Sequence, residues 1–488
     1  MRHMLAALLV LLAGAGRAET RREALKLHAL FSDHAVFQCG MTVPVWGWAE
    51  PGEEVTVAFG EQKKAATAGP DGSWRIRLDV LAAGGPHEMK VSAKSGSVTV
   101  TDILVGEVWV GSGQSNMEWS VRNSARAAEE IAAAGHPQIR LFSVPRRMAE
   151  KPEKEVQGSW KVCTPETIPG FSAVAYYFGR DLHQRLKIPV GLVHTSWGGT
   201  PAEVWTRREV FDAVDALKPC VDRDAKALEN FEKAAAKAKE ENKPAPRKPM
   251  PLSCLYNGMI APLLPYAIRG AVWYQGESNA SRAKEYQVLF PAMIENWRKD
   301  WGQGNFPFYF VQLANYMARK PQPGDSAWAE LREAQTLTMS KSANTGMAVI
   351  IDIGEEKDIH PKNKQDVGKR LARWALAREY EQKIVHSGPL YDSMKVEGGK
   401  VRLTFKHVGG GLVAQGGKLA GFAVAGDDRK FVWADAAIDG DTVVVGADSV
   451  AAPVAVRYAW ADNPECTLTN KEGLPASPFR TDAWARGQ

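Results

Sequence analysis

The sequence predicts an α/β protein: a central, largely parallel sheet covered on both faces by helices, with antiparallel β domains attached at its N- and C-terminal sides. Three observations predict it. Between about residues 102 and 385, near-continuous apolar runs ("ILVGEVWVG", "IPVGLVHTSW", "IRGAVWYQG", "FPFYFVQLAN", "MAVIIDIG") alternate with helical stretches, as strands buried on both faces require. On either side of this region apolar residues alternate with polar ones instead, the mark of half-buried antiparallel strands. The chain of 488 residues, at roughly 100–200 per domain, has room for two to four domains.

Residues 1–18 carry a basic start at Arg2, an apolar run from Met4 to Leu12 and small residues at Gly16 and Ala18. That is the pattern of a signal peptide cut after Ala18, and it predicts a secreted or periplasmic protein. The run is far shorter than the roughly 20 residues that span a bilayer, so no membrane span is expected. Residues 19–101 read as the N-terminal β domain: Val55, Val57 and Phe59 alternate, Trp74, Ile76 and Leu78 alternate, and "GPDG" supplies a turn between them. Residues 386–488 form the C-terminal β domain, with alternation at Val401, Leu403 and Phe405, then Val443 and Val445, then Val454, Val456 and Tyr458.

One insertion interrupts the central domain. From Arg223 to Pro249 the chain is rich in Ala, Lys and Glu and closes on spaced prolines, which predicts a solvated helix followed by an extended linker; a mobile lid is the sharper alternative. Cys220 and Cys254 flank it. In an oxidising compartment their spacing allows a disulfide across its base, and equally two small buried thiols. The full set of five cysteines is odd, so at least one stays single.

Composition excludes several classes. With 24% charged and 45% hydrophobic residues and a formal charge of +5, the chain has the balance of an ordinary globular protein and no dense basic cluster for nucleic acid. No His and Cys residues stand at zinc spacing, and no phosphate-binding or convincing dinucleotide fingerprint occurs. Neither metal nor cofactor is implied.

What does stand out is where four of the five buried runs end. "GSGQSN" at Gly111 to Asn116, "TSWGGTPAEVW" at Thr195 to Trp205, "YQGESNA" at Tyr274 to Ala280 and "DIGEEKDIHP" at Asp352 to Pro361 all follow strands. In an open α/β sheet the carboxyl ends of strands are where ligands bind. The clusters supply a serine, glycines with free backbone N–H groups, an asparagine amide and an acid beside a histidine. An ester-cleaving serine needs these types, because its hydroxyl is a poor nucleophile until a base takes the proton and donors hold the oxyanion.

Ser115 sits where a strand meets helical sequence, so its own N–H is one oxyanion donor. Gly198 or Gly199 fits the second, since a missing Cβ permits close approach. The Asn279 side chain fits the third. His360 stands before Pro361 and an amphipathic helix bearing Val367, Leu371, Trp374 and Ala375 on one face, with the proline expected at the helix start. Asp358, two residues earlier, can orient it. Singly each residue has a plainer role: Ser115 as an N-cap, Asn279 and the glycines in turns, His360 at the surface. Their joint occurrence at one sheet edge points to an active site. The spelling is not the G-x-S-x-G elbow of α/β-hydrolases, because Met117 holds the place of the second glycine.

These four clusters resemble the four blocks of the SGNH hydrolase superfamily, and more closely those of the sialate O-acetylesterase-like proteins. The resemblance rests on "GSGQSNMEWS", "SWGGTPAEVW", "LYNGMIAPLLPYAIRGAVWYQGESNA" and "DIHPKNKQDVGKRLA", extends to "PVWGWAEPGEEVTV" and "NKEGLPASPFRTD", and covers nearly all of the chain beyond the leader. It implies a three-layer α/β/α domain of flavodoxin-like outline, Ser115 as nucleophile, His360 as base, and Gly198 or Gly199 with Asn279 as oxyanion donors. One departure stands: the superfamily spacing is Asp-x-x-His, yet Lys357 occupies the third position before His360. Asp358 is the first choice for the acid, Asp352 and Glu356 follow, and a dyad helped only by a backbone carbonyl is the fallback. The function implied is removal of O-acetyl groups from sugars, most directly from sialic acid; an acetyl esterase on plant polysaccharide (acetyl xylan type) and an inactive glycan-binding protein are the rivals. The expected partner is an acetylated sugar or glycan. Trp119, Trp197 and Trp273 lie beside the clusters as candidate stacking surfaces.

Overall fold

The computed structural model describes residues 25–485; the segment expected to be a signal peptide, residues 1–18, lies outside them. At the centre is a sheet whose strands, in chain order, are β1 (Gly96–Gly113), β2 (His136–Ser143), β3 (Lys161–Cys163), β4 (Val190–Ser196), β5 (Gly270–Tyr274), β6 (Phe308–Val311) and β7 (Thr345–Ala348). Their spatial order is β3-β2-β4-β1-β5-β6-β7, with all neighbours parallel except β3, which pairs antiparallel at the edge. The five expected runs are all strands. β2 and β3 went unnoticed, because at the sheet margin their polar residues break the apolar run.

Both faces are covered, as alternation along β6 shows. Tyr309 packs against Trp109 and against Trp374 of helix α6 (Lys364–Arg378), whereas Phe308 and Phe310 turn to the other face and meet Phe290 of α4 (Ala283–Trp301). α6 packs beside α2 (Ala173–Leu186) and α4 beside α5 (Ala327–Lys341), giving three layers. Burying these aromatic rings on both sides of one sheet stabilises it by about 25 cal/mol per Å² of apolar surface removed from water.

The boundary expected at Asp102 falls inside a single strand. β1 runs through it: residues up to Val105 pair with Gly84–Ala93 in the N-terminal β region, and residues from Glu107 onward pair with β4 and β5. Asp102 takes φ +53° there, and its carboxylate accepts from Arg140 and His34. The C-terminal region is antiparallel as expected, with Leu390–Glu397, Lys400–Lys406, Thr442–Gly446 and Asp435–Asp439 in one sheet and Phe422–Ala425, Val432–Trp433, Ala455–Tyr458 and Phe479–Arg480 in another.

The insertion helix, α3 (Lys218–Glu240), starts five residues before the expected Arg223 and buries only Cys220. Its base is fastened by Arg223, which pairs with Glu203 and Glu285, and by Asp224, which accepts the Leu252 N–H. All five cysteines are thiols, so the disulfide across the base is not formed. Cys220 instead lies against Glu285 and Arg223, and burial pushes its thiol up to about 12. No helix among the described residues is long and apolar enough to cross a membrane.

Candidate active site

The sheet register brings three of the four clusters together. Gly113, the last residue of β1, pairs with Ser196 at the end of β4 on one side and with Tyr274 at the end of β5 on the other. Gly113 has φ +142°, and a Cβ there would fall 2.1 Å from the Tyr274 carbonyl oxygen, so only glycine lets β1 turn so tightly against β5. The turn leads into α1 (Ser115–Glu118), a single helical turn with Ser115 at its first position. The helix expected to continue from here is broken: a 3₁₀ turn at Val121–Asn123 and a short helix at Ala127–Ala132 follow, with Arg126 at φ +52° between them.

Ser115 Oγ lies 2.9 Å from His360 Nε2. On the far side of the ring, Asp358 Oδ1 is 3.3 Å from Nδ1 and also accepts the His360 backbone N–H at 2.9 Å. The Trp119 ring stacks on the imidazole at 4.8 Å and 15°. Burial lowers the affinity of His360 for a proton, the nearby Lys364 lowers it further, and Asp358 opposes both. The imidazole is therefore held below its ordinary range, in the form that accepts a proton. Pro361 does not start the helix as expected; Asn363 caps it, its side chain accepting from Asp366 N, and the helix begins at Lys364.

Of the other candidate acids, Asp352 is engaged elsewhere, in a two-pronged pair with Arg370 at 2.6 and 2.7 Å, and the Glu356 backbone carbonyl accepts from Met317 N.

The two glycines differ. The Gly198 N–H donates to Glu118 Oε2 at 3.0 Å and so is not the free donor expected of it; its contribution is closeness, since a Cβ there would stand 3.1 Å from the Ser115 Cβ. Gly199, at φ +74°, has open space around it. The N–H groups of Ser115 and Gly199 have no hydrogen-bond acceptor among the described residues.

Asn279 is buried and its amide is fixed on three sides: Oδ1 accepts from Ala202 N at 2.9 Å and Gln275 Nε2 at 2.6 Å, and Nδ2 donates to Glu203 Oε2 at 2.8 Å. The orientation of the second Nδ2 hydrogen is thereby set, and the glycine loop is tied to the loop after β5. Glu203 also receives Arg223 and Arg282.

Of these tryptophans, Trp119 stacks on His360, Trp197 lies beneath the Arg146 guanidinium at 5.5 Å, and Trp273 is fully buried among Trp205, Phe290 and Trp297. Arg146 also binds Glu118, the partner of Gly198.

Sequence reasoning missed a second layer behind Ser115 and His360. Asn116 Oδ1 accepts from Lys364 Nζ at 2.5 Å, and Asn116 Nδ2 donates to Glu277 Oε1 at 2.5 Å and to the Ile359 carbonyl at 3.0 Å. The signal was present in Lys364, which precedes Val367 and Leu371 at helical spacing and so belongs to the buried stripe of α6.

A family model described as "Carbohydrate esterase, sialic acid-specific acetylesterase" matches residues 247–377, a span that includes Asn279, Asp358 and His360. The chain is 32% identical to the sialate O-acetylesterase of Mus musculus over 505 residues, covering 91% of each, and 30% identical to that of Homo sapiens, covering 89% of this chain and 88% of the relative. A crystal structure of a carbohydrate acetylesterase from Xanthomonas citri is similar throughout, with a TM-score of 0.84 and 40% identity over 94% of this chain and all of the other.

Proposed function

Because the chain belongs to the sialate O-acetylesterase family of carbohydrate esterases, we propose that it removes O-acetyl groups from sialic acid with Ser115 as nucleophile, His360 as base and Asp358 as orienting acid. The observation that carries the assignment of roles is the 2.9 Å contact from Ser115 Oγ to His360 Nε2, with Asp358 on the other ring nitrogen.

Ser115 Oγ attacks the acetyl carbonyl as His360 Nε2 takes its proton. The oxyanion that forms is held by the N–H groups of Ser115 and Gly199 and by the remaining N–H of the Asn279 amide, each donor of this kind being worth roughly 10²–10³ in kcat. His360 returns the proton to the departing sugar hydroxyl, leaving an acetyl ester on Ser115. Water, deprotonated by the same imidazole, then frees acetate. Asp358 keeps the proton on Nδ1 and stabilises the imidazolium between the two transfers.

Ser115→Ala tests this directly: acetate release should vanish while the melting temperature stays within about 2 °C of the parent. Release at the parent rate from the folded variant refutes it. The sugar is tested by comparing O-acetylated sialic acid with acetylated xylan; release from xylan alone moves the substrate to plant polysaccharide. An inactive, purely glycan-binding protein has no support in a site that retains serine, histidine, acid and donors. We propose export as well, on the strength of the leader sequence, and N-terminal sequencing of the mature protein should begin at Glu19.

A further inference from the structure

Behind the Ser115–His360 pair lies a buried polar unit whose parts come from three separate segments of the chain. Lys364, at the start of α6, is completely buried, with its Nζ 5.3 Å from the centre of the Tyr274 ring and 5.9 Å from that of Trp119. Its hydrogen bond goes to Asn116 Oδ1, and the opposite end of that amide donates to Glu277. The second oxygen of Glu277 is buried with no hydrogen-bond partner among the described residues. An amide held between an ammonium donor and a carboxylate acceptor is polarised and cannot rotate without breaking two charge-assisted bonds.

The connections matter because of what each residue adjoins. Asn116 follows Ser115 in the chain, and its third bond, to the Ile359 carbonyl, grips the peptide that enters His360. One side chain thus ties the turn bearing the hydroxyl to the loop bearing the base. The charged and titratable groups facing Lys364 are Glu277 and Tyr274 from β5 and its loop, and Asp358, Glu355 and His360 from the loop after β7. Burial holds Lys364 down to about 7 while Glu277, Asp358 and Glu355 oppose it.

We propose that Asn116, Glu277 and Lys364 form a positioning unit that fixes Ser115 against His360 through the three hydrogen bonds of the Asn116 amide. The Lys364 ammonium works in the same direction by disfavouring a second positive charge on the imidazole. The proposal rests on the serine mechanism above and adds to it a charge outside the reacting groups. Neutralising that charge raises the proton affinity of His360, so the acid limb of the pH–rate profile moves to higher pH.

Lys364→Met alone strands the buried Glu277 carboxylate and is expected to unfold readily. The informative protein is Lys364→Met/Glu277→Gln, in which both charges leave together and the fold is retained. In this double variant, kcat/KM for 4-nitrophenyl acetate should show an acid limb raised by about half a unit or more, with KM within about twofold of the parent. A limb that stays at the parental pH in the folded double variant overturns the charge role whatever happens to kcat. Asn116→Ala should lower the rate at which a fluorophosphonate probe labels Ser115 by about tenfold or more; labelling at the parental rate overturns the positioning role. Ser115→Ala run alongside separates the two failures: activity in that variant defeats the serine mechanism itself, whereas its inactivity with an unmoved limb and normal labelling defeats only the positioning unit.

Discussion

Asp358 Oδ1 touches His360 twice, at 3.3 Å from Nδ1 and at 2.9 Å from the backbone N–H, although only one residue separates them. The short spacing is what lets one oxygen serve both, by folding the side chain back over its own loop. The acid is more than a third exposed and the ring contact is long, so its electrostatic hold is weaker than in a fully buried triad. We expect Asp358→Asn to lower kcat by about 10²–10³, less than the roughly 10⁴ seen for the buried serine-protease aspartate. Asp352→Asn, which breaks only the pair with Arg370, should leave kcat unchanged and reduce stability by about 1 kcal/mol or less at this partly exposed site. Steady-state kinetics on both variants check the order; the reverse order moves the acid to Asp352.

The pH profile follows from the state of His360. Burial and Lys364 hold the imidazole below its ordinary value, and only the neutral ring accepts the serine proton. As pH rises through that depressed value the ring loses its proton and activity appears. Thus kcat/KM should climb with pH and level off with a midpoint below about 6.5, the value of a free histidine. A midpoint above about 7 would contradict the environment described for the ring.

How much of this was legible beforehand follows from the physics of each element. The five central strands could be read because burial on both faces demands unbroken apolar runs, and the four clusters could be read because they end those runs. The grouping of Ser115, His360 and Asp358 was expected from chemical type and neighbourhood, and the three lie together. The role of Gly198 was not legible: which glycine N–H is free depends on where the Glu118 carboxylate lands, and that is set by a contact across eighty positions of chain. Asp352 could be separated from Asp358 only through Arg370 on α6. The thiol at Cys220 likewise depends on Glu285 and Arg223 reaching it from distant segments. Long-range pairings of polar side chains leave no local period, so they emerge only with the fold.

The two loop glycines give opposite expectations. A methyl group at Gly198 would sit 3.1 Å from both the Ser115 Cβ and the Glu118 carboxylate, and Ser115 is held by the turn from β1. Gly198→Ala should therefore displace Ser115 and, on the proposed mechanism, lower kcat by about 10²-fold or more, a loss of the size expected when reacting groups are misplaced. Gly199→Ala meets no neighbour but must hold φ +74°, at a cost of about 1–2 kcal/mol in stability. Thermal melts and kcat measured on the two proteins distinguish the cases; equal effects on both quantities would mean that neither contact acts as described.

Arg146 offers the sharpest test of the sugar. Its half-exposed guanidinium lies over Trp197 and binds Glu118, whose other oxygen takes the Gly198 N–H beside Ser115. A cation backed by an aromatic face is suited to a sugar that carries its own carboxylate, as sialic acid does, and a neutral xylose unit has nothing to offer it. Arg146→Ala should raise KM for O-acetylated sialic acid by about tenfold, the worth of one charged hydrogen bond, and leave kcat/KM for 4-nitrophenyl acetate within about twofold. If both substrates lose activity equally, Arg146 serves only to hold Glu118; if neither does, the acidic sugar is bound elsewhere and the case for sialic acid rests on kinship alone.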